Sequence, residues 1–356
     1  MTRWLPTIVV VNSKRTYEPY GASGGEPEGG WGVLEPYGAS GGDWTRLVSG
    51  VSWRMLLAEA TQLLSAVSES PEIDARRLIE RASGHEPAEL RFALDAAVTQ
   101  RQMVFFDGML DRRSTGEPLQ YVLGSWGFRT LDLFLDRRVL IPRPETEIVT
   151  EIALAELDRA AIGAASPRPT APRALDLDRA ASPRPTAPRA LDLGTGSGAI
   201  ALSIAVERRA AEVWAVDVSG DALDVARANL AGIGHHARRV RLAHGDWFAP
   251  LPSELHGTFD VIVANPPYVA DAEVLPEIVR GWEPVAALYS GPTGLECYEV
   301  IVPAARAWLH DGGALVLEIG ATQAADVRAI ATRNGYASIV VHPDLAGRDR
   351  VVVIRP

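Results

Sequence analysis

The chain has 356 residues, 47% of them hydrophobic, and a formal net charge of -10 at pH 7. That is enough apolar material for more than one core. The acidic balance argues against a protein that wraps a phosphate backbone, so no direct nucleic-acid partner is expected. The single cysteine, Cys297, excludes an intrachain disulfide and fits a reducing compartment. No apolar run reaches the length of a membrane span. The short run "WLPTIVVV" at 4–11 leads into polar "NSKR" without a small-residue cleavage pattern, so it is not read as a signal peptide. The expected location is the cytoplasm, with no membrane partner.

Two duplications come first in chain order. "EPYGASGG" occurs at 18–25 and 35–42, and "AASPRPTAPRALDL" at 164–177 and 180–193. Two copies make no solenoid, and Gly/Ser or Pro/Arg segments bury little. Residues 1–50 are expected to be a disordered extension and 164–188 a flexible insert, and the repeats are read as tandem duplication tolerated in linkers rather than as a tethered recognition arm.

Order is expected to begin near Trp53. Trp53, Leu56, Leu57, Ala60, Leu63, Leu64 and Val67 recur at helical spacing. "SPEIDARRLIERASG" comes next, with Ser70 as cap, Pro71 in the first turn and Gly84 as stop. Helical patterns over 86–96 and 99–113 complete an all-helical domain, assigned to 51–120. Between Gly124 and Glu147 the pattern turns to β, with Leu131, Leu133 and Leu135 alternating with polar or aromatic residues. A β-hairpin linker is expected over 121–145 and a helix over 146–160. From Arg189 strands and helices alternate: strands at 189–193, 212–217, 239–245, 259–265 and 313–319, then an antiparallel pair at 337–343 and 349–355. This predicts an α/β domain over 146–356 with a mostly parallel, doubly wound, seven-stranded sheet.

Four motifs carry chemistry. "LDLGTGSGAI" places Gly194, Thr195, Gly196, Ser197 and Gly198 between a strand and a helix, where backbone can approach a ligand and helix N–H groups are free. With Ala199 the loop also satisfies a loose dinucleotide fingerprint. Asp217, ending the second strand, suits two ribose hydroxyls, a role common to nicotinamide and adenosylmethionine enzymes. In "GDWF", Asp246 and Trp247 are placed to meet an adenine, although Trp247 as plain core fits equally well. Asn265-Pro266-Pro267-Tyr268 comes after the fourth strand, at the carboxyl edge where open α/β sheets bind ligands. The prolines remove N–H donors, leaving the Asn265 side-chain oxygen and the Pro266 carbonyl as acceptors for a planar NH2 group and Tyr268 to stack on it. This points to methylation of an amide or amine nitrogen without a nucleophilic triad. No metal site is expected: the seven histidines lack zinc spacing, and His235-His236 reads as a solvated loop.

"RRSTGEPLQYVLG" (112–124), "IPRPETE" (141–147), "LDLGTGSGAIAL", "AVDVS", "GDWF", "NPPYV" and "DLAGRDRVV" (344–352) together resemble the bacterial release-factor glutamine methyltransferases, the HemK family. The resemblance runs from about Trp53 to the C-terminus, interrupted by the duplicated insert. It implies a helical bundle that recognises substrate, a hairpin linker and a class I Rossmann-like domain that uses S-adenosylmethionine. It also implies N5-methylation of the glutamine in the Gly-Gly-Gln loop of peptide-chain release factors 1 and 2. A monomer is expected. On this chain, 194–198 and Asp217 would hold the methionine and ribose, and Asp246 and Trp247 the adenine. Asn265 to Tyr268 would grip the glutamine, with Asn265 bordering the cofactor as well. Competing readings are a methyltransferase for a ribosomal-protein glutamine or a nucleic-acid amine, a non-catalytic binding module and, last, a nicotinamide oxidoreductase. Phe128 either walls the glutamine pocket or packs the linker.

Overall fold

A computed structural model describes residues 47–165 and 187–356. Most of the expected extension, both copies of the Gly-rich duplication, and residues 166–186 of the expected insert lie outside the described residues.

The first unit is a helical cluster: α1 (Trp53–Leu64), α2 (Pro71–Ser83), α3 (Pro87–Ala93), α4 (Gln100–Ser114) and α5 (Leu119–Leu123). Trp53, Leu56, Ala60 and Leu64 form the buried stripe of α1, as the spacing predicts, whereas Leu63 stays exposed. Thr99 starts α4 with a reciprocal cap: its hydroxyl accepts from Gln102 N at 3.3 Å, and its own N–H donates to Gln102 Oε1 at 3.1 Å. Two expectations need correction. Residues 47–50 belong to a strand, β1 (Leu47–Ser52), not to the extension, and the helical unit is not all helix. β1 pairs antiparallel with β2 (Ala97–Thr99) across an irregularity, with Gly50 at φ +80°. The partners lie far apart in sequence, so periodicity cannot reveal the pairing.

The hairpin is β3 (Ser125–Phe128) with β4 (Leu131–Phe134), shorter than the expected 121–145, because Tyr121 to Leu123 complete α5. Trp126 packs against both the helical cluster and the sheet domain. Phe128 is fully buried in the sheet-domain core, so it packs the linker. α6 (Pro144–Ala165) starts two residues earlier than expected, on Pro144.

The sheet domain then runs β5 (Arg189–Leu193), α7 (Ala199–Glu207), β6 (Glu212–Asp217), α8 (Gly220–Gly232), β7 (Val240–His244), β8 (Phe259–Ala264), β9 (Val269–Ala270), α9 (Glu277–Arg280), β10 (Tyr289–Gly291), α10 (Glu296–Trp308), β11 (Leu309–Glu318), α11 (Ala324–Arg333), β12 (Ser338–Pro343) and β13 (Asp349–Arg355). Seven strands form one sheet in the order β12-β13-β11-β8-β5-β6-β7. β13 is antiparallel to both neighbours and the remaining pairings are parallel. Side chains alternate between two apolar layers. Val261 and Val263 face α6 and α7; Ile262 and Ala264 face α10 and α11. A sheet covered on both faces reads as continuous apolar runs, which is why these strands were legible. Among the described residues, no helix is long and apolar enough to cross a membrane.

Of the ion pairs within the helical cluster, that of Arg113 with Asp74 is buried on both sides. Arg113 on α4 donates from Nε to Asp74 on α2 at 2.7 Å, with side-chain exposures of 5% and 10%. Arg113→Ala leaves a buried carboxylate without its cation, so it is expected to destabilise this region by about 3–5 kcal/mol. Urea unfolding combined with hydrogen exchange of the α2 and α4 amides checks this; unchanged protection would show that the pair contributes little.

Candidate active site

The carboxyl edge of β5, β6 and β8 opens into a cavity of about 290 Å³. Gly194, Thr195, Gly196, Ser197, Asp217, Asp246, Trp247, Asn265 and Pro267 line it, so most residues expected at the site converge on one space. Gly198, Pro266 and Tyr268 do not line it. Gly198 instead enters α7, Pro266 is buried, and Tyr268 packs on the α10–α11 side of the sheet.

The glycine loop is shaped by its backbone. Gly194, Gly196 and Gly198 have φ of +71°, +55° and +85°, a region that favours glycine. Gly194 N and Thr195 N both donate to Val216 O, at 2.9 and 3.0 Å, which folds the loop over the end of β6. A Cβ on Gly198 would lie 3.0 Å from Leu202 Cδ1, whereas one on Gly196 would meet nothing within 4 Å. Beneath the loop, Asp192 is buried. Its Oδ2 accepts from Thr195 Oγ1 at 2.6 Å and Ala201 N at 3.1 Å, while Oδ1 has no partner. Burial pushes its carboxyl up to about 7.

Asp217 spans two elements. It accepts from Gly196 N through Oδ2 and from Ser219 N through Oδ1, each at 2.8 Å. Ser219, not Asp217, caps α8, accepting from Ala222 N at 3.1 Å. Burial raises the Asp217 carboxyl, and the two N–H groups oppose that shift. Each oxygen keeps a lone pair, as a ribose diol would need. Trp247 takes a left-handed backbone, φ +42°, that a bulky residue rarely adopts. Its ring lies 4.0 Å from where a Gly194 Cβ would stand, an ordinary van der Waals contact, so glycine at 194 is favoured by its φ of +71° rather than by space for the indole.

Other contacts were not anticipated. Asn229 on α8, buried, donates to Ser197 O at 2.8 Å and Phe134 O at 3.1 Å and accepts from Phe134 N at 2.7 Å, joining the hairpin to the glycine loop. Glu283 accepts from Ile141 N at 3.1 Å and from Arg143, and the Arg137 guanidinium sits 4.0 Å over the Trp282 ring. These contacts moor the segment that brings Pro284, Ala286 and Ala287 to the cavity wall. Gln323 donates to Tyr268 O at 2.9 Å and Gly294 O at 3.1 Å, holding the chain just past the two prolines. Asn265 Nδ2 donates to Thr146 Oγ1 at 3.2 Å, and Thr146 Oγ1 donates to Glu318 Oε2 at 2.8 Å. The one hint of this in the sequence was a glutamate in the apolar run "GALVLEI".

A doubly wound sheet with a glycine loop after its first strand, an acid after its second and Asn-Pro-Pro-Tyr after its fourth places the protein among the Rossmann-like methyltransferases. Family models agree: the PrmC N-terminal domain matches residues 55–124 and the methyltransferase small domain residues 178–285. Individual relatives narrow the class. The chain is 37% identical over 297 residues to the release factor glutamine methyltransferase of Xylella fastidiosa (strain 9a5c), covering 82% of this chain and 96% of that protein. It is 38% identical over 301 residues to the one from Moorella thermoacetica, covering 83% and 96%. It is 36% identical over 289 residues to the one from Neisseria gonorrhoeae, covering 81% and 94%. The chain belongs to the release factor glutamine methyltransferase family.

The glycine geometry makes a comparative prediction. Gly198→Ala combines a positive φ with a contact at 3.0 Å, so it is expected to cost about 1–3 kcal/mol. Gly196→Ala, with open space around it, is expected to cost about 1 kcal/mol. Thermal unfolding of the two variants tests the order, and equal losses would contradict it.

Proposed function

We propose that this chain methylates the side-chain amide nitrogen, N5, of the glutamine in the Gly-Gly-Gln loop of peptide-chain release factors, with S-adenosylmethionine as donor. The observation that carries this reading is the convergence of the glycine loop, Asp217 and Asn265 on one cavity, in a chain of this family. When bound, S-adenosylmethionine supplies an electrophilic sulfonium methyl. The residues present fit it: positive-φ glycines leave room beside the backbone, Asp217 offers acceptors, and Asp246 and Trp247 line the same cavity. In this reading 194–198 hold the methionine part, Asp217 the ribose, and Asp246 and Trp247 the adenine.

An amide nitrogen is a poor nucleophile, because its lone pair is delocalised into the carbonyl. Two things help it: alignment with the methyl group, and acceptors for its hydrogens as the nitrogen gains positive charge. Asn265 suits both. Its NH2 is engaged by Thr146, and its oxygen has no donor among the described residues. The Pro266 carbonyl is proposed as the second acceptor. Tyr268 is held through its backbone by Gln323 and packs behind the prolines, so its part is to stiffen the clamp rather than to wall the cavity. The helical cluster is proposed to hold the release factor, because the glutamine arrives on a large partner.

The test is transfer of labelled methyl from S-adenosylmethionine to a release factor, beside the same factor with its Gly-Gly-Gln glutamine replaced. Label is expected on the first and not the second. Asn265→Ala is expected to lower kcat by about 10²–10³-fold and to leave S-adenosylmethionine affinity nearly unchanged by calorimetry. Unchanged turnover in that variant would sink the proposed clamp.

A further inference from the structure

The two ends of an asparagine amide have nearly the same shape and opposite hydrogen-bonding sense. If Asn265 is to accept from a substrate NH2, its oxygen must face the cavity. In the reversed orientation two NH2 groups would meet, donor against donor. Nothing in the shape of the loop separates the two orientations, so hydrogen bonding must.

The partners of Asn265 supply that choice. Thr146 has one hydroxyl proton and gives it to Glu318 Oε2 at 2.8 Å. An ionised carboxylate only accepts, so that proton is committed. The Thr146 oxygen can then only accept from Asn265, and it does so from Nδ2 at 3.2 Å. The amide oxygen is thereby turned away from Thr146. We infer that Thr146 and Glu318 form a relay of hydrogen-bond polarity that fixes which end of Asn265 meets the substrate amide, making them positioning residues for the reaction. The inference rests on the proposed role of Asn265.

The fold alone gives Glu318 no purpose. It ends β11 at 1% exposure, between apolar neighbours, and forms no ion pair among the described residues. A carboxylate so placed costs more than an apolar residue would. Thr146, in the first turn of α6, brings the positive end of that helix beside it.

The relay also has a pH sense. Burial pushes the Glu318 carboxyl up to about 7, against the Thr146 hydroxyl and the Arg350 and Arg143 charges, with Glu145 raising it further. Tyr268 and Tyr298 are the other titratable groups facing it. Protonated Glu318 can donate to Thr146 Oγ1. Thr146 is then free to donate to the Asn265 oxygen and reverse the amide. The relay is thus polarised above about 7 and loses direction as pH falls.

The experiment is steady-state methyl transfer to a release factor by the full chain, from pH 6 to 9, with release-factor affinity measured separately in the presence of S-adenosylhomocysteine. Thr146→Val is expected to lower kcat by about 10-fold or more while release-factor affinity stays within about twofold. Thr146→Ser, which keeps the hydroxyl, is expected to recover most of the loss. Glu318→Gln is expected to remove the acidic fall in kcat near neutral pH. Wild-type kcat in Thr146→Val, beside an inactive Asn265→Ala, would overturn the relay and leave the clamp standing. An active Asn265→Ala would overturn the clamp itself. Should Thr146→Val fail to fold, an acid limb unchanged in Glu318→Gln would still overturn the relay.

Discussion

Strand register is the constraint on which this site depends. Leu193 of β5 is paired with Val216 of β6 on one side and with Ala264 of β8 on the other, and Ala264 is paired with Leu317 of β11. One residue further along each strand, the chain reaches Gly194, Asp217, Asn265 and Glu318. The loop, the acid, the amide and the buried glutamate stand in a row because parallel strands end at one level. A slip of one residue in any strand would also exchange its two faces. Both layers are apolar, so hydrophobicity alone resists that slip weakly. The two N–H groups from 194 and 195 on Val216 O, and the Asp217 bridge to Gly196, resist it more specifically.

Electrostatics runs against stability at this edge. Asp192 and Glu318 are both buried and both pushed up to about 7. A carboxyl whose folded pKa exceeds its unfolded one subtracts stability as pH rises from about 4 towards 7, the reverse of a salt-bridged acid. Elsewhere the usual sign holds. Arg129 holds Glu207 low, and Arg355 with Arg159 holds Glu156 low despite its burial. These pairs sit around the sheet domain away from the cavity. The acids without a direct ion pair among the described residues, Asp192 and Glu318, lie beneath the glycine loop and behind Asn265, where orientation of a hydrogen bond matters more than its contribution to folding.

How much of the molecule could be read from its sequence depends on how local each cause is. The sheet strands are apolar runs, and Gly194, Asp217 and Asn265 each stand at the end of one, so their place at the sheet edge could be derived. The β1–β2 ribbon could not, since its pairing is non-local and Gly50 blurs the alternation. Thr146, Asn265 and Glu318 come from three separate elements, and no spacing predicts their contact. Tyr268 looked like a stacking residue from its tetrapeptide alone, but Gln323, just before α11 and beyond the end of β11, holds that backbone. Phe128 was open between pocket and core, and the hairpin's docking on α8 through Asn229 settled it.

The duplicated "RALDL" poses a last problem, because two identical segments compete for one strand position between β6 and β8. The strand itself cannot discriminate between them, but the residues on its carboxyl side can. A chain using the earlier copy would bring residues 178–186, "DRAASPRPT", to the places of 194–202. Ser182 would then take the φ of +85° that Gly198 adopts. Arg184 would replace Ile200, which is 5% exposed, and bury a charge. Pro185 would replace Ala201, whose N–H donates to Asp192, and would remove that donor within a helix. The apolar side chains of α7, buried from Ala199 to Ala205, would also be left without their place in the core. Each of these penalties is on the order of 1–3 kcal/mol, and together they exceed the few tenths of a kcal/mol by which loop lengths of this size differ in closure entropy. The later copy is selected by the ligand loop and helix attached to it, so a duplication upstream of the site leaves the register, and the row of residues that the register aligns, unchanged.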